Sequence, residues 1–189
     1  MPNTQELKTR LARVLMEKSY LEGDFTLTSG KKSDYYFDCR QSSLNPEGAF
    51  LIGAIFYNLL KDLNADAVAG MTMGADPLVT ATSLAAFASQ QNLPALIVRK
   101  QAKGHGTGRA IEGLGNVQKG ARVVMLEDVV STGGSVLQAC DKVREAGLEV
   151  VAVLCILNRE EGGAEAIQNA GYPVRSIFTR KELVQTAAS

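Results

Sequence analysis

The stretch Val123-Val124-Met125-Leu126-Glu127-Asp128-Val129-Val130-Ser131-Thr132-Gly133-Gly134-Ser135 leaves this chain few folds to choose from. Val123 to Leu126 is an unbroken apolar run without a polar face, so it reads as a short strand covered on both sides. Two adjacent carboxylates stand at its carboxyl end, a hydroxyl- and glycine-rich turn follows, and Val136 to Ala146 then forms a periodic, helical segment. Strand, turn and helix in that order belong to an open parallel α/β sheet, whose ligands sit beyond the carboxyl ends of the strands. Gly133 and Gly134 allow a tight backbone curl, and the N–H groups of the turn and of the first helical residues can form a concave anion site. Glu127 and Asp128 suit a ligand that carries sugar hydroxyls beside its phosphate, or one that brings a divalent cation. A phosphorylated sugar satisfies both halves. The alternative is an acidic surface turn ahead of a Ser/Thr-capped helix.

The chain has 189 residues, which fits a single domain with a real core. Its twenty basic and twenty acidic residues cancel, so no global field recruits nucleic acid or an anionic membrane, and any basic site must be local. No apolar run nears the roughly eighteen residues needed to span a bilayer. The N-terminus is charged and amphipathic rather than signal-like. Cys39, Cys140 and Cys155 are too widely spaced for a disulfide framework or a zinc site, and Cys140 and Cys155 are expected to pack in a helix and a strand. A reducing cytoplasm is the expected location.

Thr4 to Lys18 carries a helical stripe of Leu7, Leu11, Val14 and Leu15 with Thr4 as a possible cap, serving a hood, a dimer face or plain core packing. Phe25 to Arg40 reads as a hairpin or a pair of strands punctuated by Gly30, with Tyr35, Tyr36 and Phe37 alternating between faces. Asn45 caps a helix over 46–60 with Pro46 at its first position. A strand over 66–70 leads into a second glycine-bearing loop, Gly70 to Pro77, and an alanine-rich helix ending near Gln90. The strand Ala95 to Val98 enters Arg99-Lys100-Gln101-Ala102-Lys103-Gly104-His105-Gly106, and nothing in 101–117 has core periodicity, so that segment reads as a long mobile loop. Gly147 closes the helix that begins at Val136. The strand Val150 to Leu157 ends in Asn158-Arg159-Glu160-Glu161-Gly162-Gly163, which puts Arg159 on the ligand rim or in a surface ion pair with Glu160 or Glu161. A last strand, Tyr172 to Thr179, and a short helix, Arg180 to Ala187, complete the chain.

These motifs resemble those of the type I phosphoribosyltransferases, and within them the orotate phosphoribosyltransferases. The acid pair with Ser-Thr-Gly-Gly-Ser is similar to the family's signature for 5-phosphoribosyl-1-pyrophosphate (PRPP). Ser-Gly followed by Ser-Asp-Tyr-Tyr-Phe resembles the hood of the orotate enzymes, Arg-Lys-x-x-Lys-x-His-Gly their catalytic loop, and Asn-Arg-x-Glu-Gly their base-binding corner. The resemblance implies an α/β fold with a mostly parallel sheet flanked by helices, a hood over about residues 1–40, and a mobile catalytic loop over about 101–117. It also implies roles. Glu127 and Asp128 hold the ribose hydroxyls, Val129, Val130, Ser131, Thr132, Gly133, Gly134 and Ser135 cradle the 5′-phosphate, and Arg99, Lys100, Lys103 and His105 meet PRPP from the basic loop. Lys103, His105 and Asp128 are the implied catalytic residues; Tyr36, Phe37, Ser131 and Arg159 the implied orotate contacts. Mg²⁺ is implied as cofactor, held mainly through PRPP rather than by a protein metal site, and a homodimer with shared active sites as the assembly. Thr28 and Met73 stand where some members carry lysine. The implied reaction joins orotate to PRPP, giving orotidine 5′-monophosphate and pyrophosphate, in the pathway to UMP. A transferase for another base and a non-catalytic PRPP-sensing regulator are the alternatives; balanced charge and the retained basic loop weigh against the second.

Overall fold

The structure, a computed structural model, describes residues 3–26, 32–101 and 110–188. Helix α1 (Thr4–Lys18) is capped by Asn3, whose side chain accepts the Gln5 N–H, and not by Thr4. Its stripe of Leu7, Leu11, Val14 and Leu15 is buried, so it serves the core. Strands β1 (Tyr20–Thr26) and β2 (Lys32–Phe37) pair antiparallel as a separate hairpin. Residues 27–31, Thr28 among them, lie outside the described residues. A short α2 (Arg40–Ser43) leads to α3 (Pro46–Leu60), where the Asn45 side chain accepts the N–H groups of Glu47 and Gly48 as its sequence predicts.

Then come β3 (Ala67–Met71), α4 (Asp76–Ala88), β4 (Ala95–Val98), β5 (Ile111–Glu112), β6 (Arg122–Val130), α5 (Gly134–Glu145), β7 (Glu149–Asn158), α6 (Gly163–Asn169), β8 (Val174–Thr179) and α7 (Arg180–Ala187). The main sheet runs β5-β4-β3-β6-β7-β8, parallel throughout except for β5, which pairs antiparallel with β4. From β3 the chain first extends the sheet to β4 and later continues on the other side through β6. The strand order therefore reverses between β3 and β6, the place where open α/β sheets bind ligands.

Val123, Val124, Met125 and Leu126 are fully buried, alternating between two core clusters on either side of the sheet. Strand β6 is nevertheless longer than its apolar run. It stays paired with β7 as far as Val130↔Asn158, although pairing with β3 stops at Met125. The acid pair thus lies inside the strand, on a stretch hydrogen-bonded along one edge, rather than in a loop beyond it.

The segment expected as one loop over 101–117 is also shorter than its composition suggests. Ile111 is 2% exposed and pairs with Val98, and Leu114 to Asn116 form a 3-10 turn. The foot of the loop is anchored as a sheet edge; residues 102–109 lie outside the described residues. Cys39, Cys140 and Cys155 are free and buried. Among the described residues no helix is long and apolar enough to cross a membrane.

Candidate active site

At the switch point the end of β6 faces the turn that follows β3. Glu127 is 7% exposed, and its carboxyl is pushed up to about 8, first by burial and then by the neighbouring Asp128 charge. Ser135 Oγ, at the start of α5, donates to Glu127 Oε2 at 3.4 Å. Asp128 Oδ1 accepts the Val129 N–H at 2.8 Å, and its carboxylate lies against Gly74, where a Cβ would sit 2.8 Å from Oδ2. Only a glycine allows the β3 turn to approach the acid this closely. Thr72 Oγ1 donates to Asp76 Oδ2 at 2.9 Å, tying that turn to the first turn of α4. Asp76 Oδ1 is buried without a hydrogen-bond partner among the described residues.

The turn after β6 is built from backbone. Gly133, at φ +79°, is the N-cap of α5, and no side chain caps the helix. The Ser/Thr-capped surface turn is therefore not what forms here, and the first amides of a twelve-residue helix remain available to an anion. The start of α6 braces this turn: a Cβ on Gly163 would sit 2.5 Å from the Ser131 carbonyl oxygen and 2.8 Å from the Gly133 nitrogen.

A cavity of about 360 Å³ opens between these parts and the hairpin, and Tyr36, Phe37, Lys100, Glu127, Asp128, Val129 and Ser135 all contribute to its wall. A second cavity of about 600 Å³ adjoins it, sharing Thr72, Met73 and Lys100 and adding Arg99, Asp76 and Glu112. Arg99 Nε binds Glu112 Oε1 at 2.8 Å, so the first residue of the basic segment is paired across the β4–β5 edge. From α5, Lys142 Nζ donates to the carbonyl oxygens of Arg99 (2.7 Å) and Lys100 (2.8 Å). Helix α5 thus joins the glycine turn to the foot of the basic segment.

Val130, Ser131, Thr132, Gly133, Gly134 and Arg159, the other described residues expected at the site, do not line these two cavities. Val130 is 1% exposed, and its carbonyl accepts the Arg159 N–H at 2.9 Å. Ser131, Thr132, Gly133 and Gly134 form the turn itself. The Arg159 side chain is 6% exposed, and its Nε meets Glu161 Oε1 at 2.9 Å, the pairing anticipated as its alternative. Its guanidinium carbon lies 4.5 Å from the centre of the Tyr35 ring. Lys103 and His105 fall outside the described residues.

Tyr35, Lys142, Asp76 and Gly163 are neighbours of the site that residue types alone did not single out. Strand alternation holds the signal for the first: Tyr35 and Phe37 are buried at 4% and 7% exposure, whereas Tyr36 between them is 38% exposed. Among the described residues no group of three or more His, Cys, Asp or Glu could hold a metal ion.

The model of the phosphoribosyl transferase domain matches residues 41–176. An orotate phosphoribosyltransferase from a Nostoc species is 46% identical over 95% of this chain and 86% of its own length. The enzyme of that name from Aquifex aeolicus is 44% identical, over 94% of this chain and 97% of its own. Among solved structures, Mycobacterium tuberculosis H37Rv orotate phosphoribosyltransferase in complex with PRPP superposes with a TM-score of 0.79 at 34% identity, covering 94% of this chain and 99% of that one. With its acid pair, uncapped helix and glycine turn at the switch point of the sheet, the chain belongs to the orotate phosphoribosyltransferases, within the phosphoribosyl transferase domain family.

Proposed function

We propose that this protein transfers the 5-phosphoribosyl group of PRPP to orotate, releasing pyrophosphate and forming orotidine 5′-monophosphate for pyrimidine nucleotide biosynthesis. The observation that carries this reading is the continuity of β6 into α5. One strand end bears two carboxylates, and the glycine turn after it opens onto uncapped helix amides. In this reading Asp128, with Glu127 beside it, accepts hydrogen bonds from the ribose hydroxyls, and the amides of 131–135 receive the 5′-phosphate. Lys100 and Arg99, with Lys103 and His105 from the same segment, meet the pyrophosphate, whose charge grows as its bond to the ribose carbon breaks. Tyr36 and Phe37 flank the base, Ser131 contacts it, and Arg159 binds its carboxylate. Orotate's ring nitrogen is acidic enough to arrive as an anion, so the chain has to place two anions about a cationic ribose carbon rather than supply a strong base.

Mg²⁺ fits the donor chemistry, because the carboxyls of Glu127 and Asp128 at the cavity are hard oxygen donors of the kind that serve this ion alongside substrate oxygens. When bound it neutralises pyrophosphate charge. Glu127 and Asp128 are the residues that would face it. We place the protein in the cytoplasm as a homodimer in which Lys103 and His105 of one subunit serve the partner's site. The free, buried Cys39, Cys140 and Cys155 suit the reducing compartment of this reading.

The test is to mix purified protein with PRPP, Mg²⁺ and either orotate or a purine base, and to follow loss of orotate absorbance. Orotate-dependent turnover is expected and should nearly vanish in Asp128→Asn; turnover with the purine alone would overturn the assignment. Subunit sharing is tested by mixing the inactive Lys103→Ala and Asp128→Asn proteins. In a mixed dimer one of two sites is then intact, so about a quarter of wild-type activity returns. No regained activity, with mixed dimers confirmed by mass, would exclude sharing.

A further inference from the structure

An arginine that must recognise a carboxylate normally surrenders several rotatable bonds when it binds. Arg159 has lost that freedom beforehand. Its side chain is 6% exposed, Glu161 holds its Nε edge at 2.9 Å, and the Tyr35 ring lies 4.5 Å from its guanidinium carbon. At that distance the ring holds the guanidinium by a cation–π contact, while Glu161 holds its Nε edge.

Tyr35 is itself immobilised from several elements. It is 4% exposed and stacks on Tyr20 with centroids 5.4 Å apart. A second guanidinium, Arg180 at the start of α7, lies 4.0 Å from the centre of its ring. Arg180 in turn binds both carboxylate oxygens of Asp34 at 3.0 and 2.9 Å and the Tyr20 hydroxyl at 3.1 Å. Each guanidinium therefore already has a carboxylate. A ligand carboxylate gains little from net charge here, and its recognition depends on hydrogen-bond direction, which the Tyr35 ring helps to fix by holding the guanidinium in place.

We infer that Tyr35 is the positioning residue through which the site selects a base bearing a carboxylate. The inference rests on the assignment of Arg159 to that carboxylate. It makes the residue between β1 and Arg159, rather than the cavity-lining Tyr36, the one that decides between orotate and an uncharged pyrimidine.

Losing a cation–π contact of this kind is expected to raise the Kd for orotate in Tyr35→Leu by about three- to thirty-fold, with PRPP affinity unchanged within about twofold. The ratio of kcat/KM for orotate over uracil, which lacks the carboxylate, should fall by the same factor. Tyr35→Phe keeps the ring and should restore both values. Arg180→Gln loosens the ring without touching Arg159, should show the same pattern at smaller size, and decides the question in the same way if Tyr35→Leu does not fold. Unchanged orotate affinity, or equal losses for orotate and PRPP, would overturn the inference. Arg159→Ala separates the two levels. If it loses orotate while the Tyr35 and Arg180 variants keep it, the positioning role alone fails. If Arg159→Ala keeps orotate, the assignment of Arg159 fails and the inference with it.

Discussion

The two walls of the cavity are made of different material. On the β6–α5 side the functional groups, apart from the carboxyls of Glu127 and Asp128, are backbone: a strand ladder, a left-handed glycine and helix amides, packed so tightly that Gly163 has no room for a Cβ. On the hairpin side they are side chains: the rings of Tyr36 and Phe37 line the cavity from a two-stranded ribbon outside the main sheet, and the Tyr35 ring of the same ribbon meets the guanidiniums of Arg159, just past β7, and Arg180, at the start of α7. A backbone wall recognises what every phosphoribosyl donor shares and is sensitive to volume. A side-chain wall recognises what distinguishes one base from another and is sensitive to orientation.

The sharpest way to break the first wall is Gly163→Ala. Its methyl would press on the Ser131 carbonyl, the Gly133 nitrogen and Val130, so α6 or the turn must move. Overpacking of this kind costs about 1–3 kcal/mol of stability. PRPP affinity should fall by more than about tenfold, with orotate affinity little changed; calorimetric titration of both ligands together with Tm checks this. Arg159→Ala tests the second wall in the opposite sense. Removing a charge-assisted partner costs about 1.5–3 kcal/mol, so orotate affinity should fall about ten- to hundred-fold while PRPP binding holds. Equal loss of both ligands would make the arginine structural.

A smaller effect is expected between the walls. Lys142→Met removes two hydrogen bonds to the Arg99 and Lys100 carbonyls, and should lower kcat by about three- to tenfold through misplacement of Lys100. Wild-type kcat would show that the foot of the basic segment is held without it.

The gentlest probe is pH. The Glu127 carboxyl ionises near 4.5 in the unfolded chain but near 8 in the folded one, because burial and Asp128 disfavour its charge. The folded state therefore holds the extra proton across that window, and ligand-free stability declines as pH rises through it. Glu127→Gln should flatten the decline, as measured by urea midpoints at about pH 5 and about pH 9. An unchanged slope would assign the decline to other groups.

Much of the backbone wall was legible in the sequence, because it is written in local signals. An apolar run, adjacent acids and paired glycines imply strand, turn and helix in order, as Asn45-Pro46 implies the start of α3. What escaped depends on neighbours distant in the chain. Strand β6 extends through its acids because β7 continues to pair with it, and Ile111 becomes a strand residue because Val98 lies opposite. Helices α2 and α6, at four and seven residues, are too short for periodicity to show. The family's hood pattern implies Tyr36 and Phe37 as base contacts, while the placement of Tyr35 beside Arg159 and Arg180 depends on where three separate elements meet.

The hydrogen bond from the Arg159 N–H to the Val130 carbonyl makes the sheet a ruler. It fixes the base end of the site one residue past the Val130↔Asn158 pair, beside the first residue of the glycine turn. A single insertion or deletion in β7 would displace Arg159 by about 3.3 Å along the strand and send its side chain to the other face of the sheet. Redesign toward another base must therefore exchange residues at 158–161 while keeping their number, since the span between the two ends of the product is counted in peptide units.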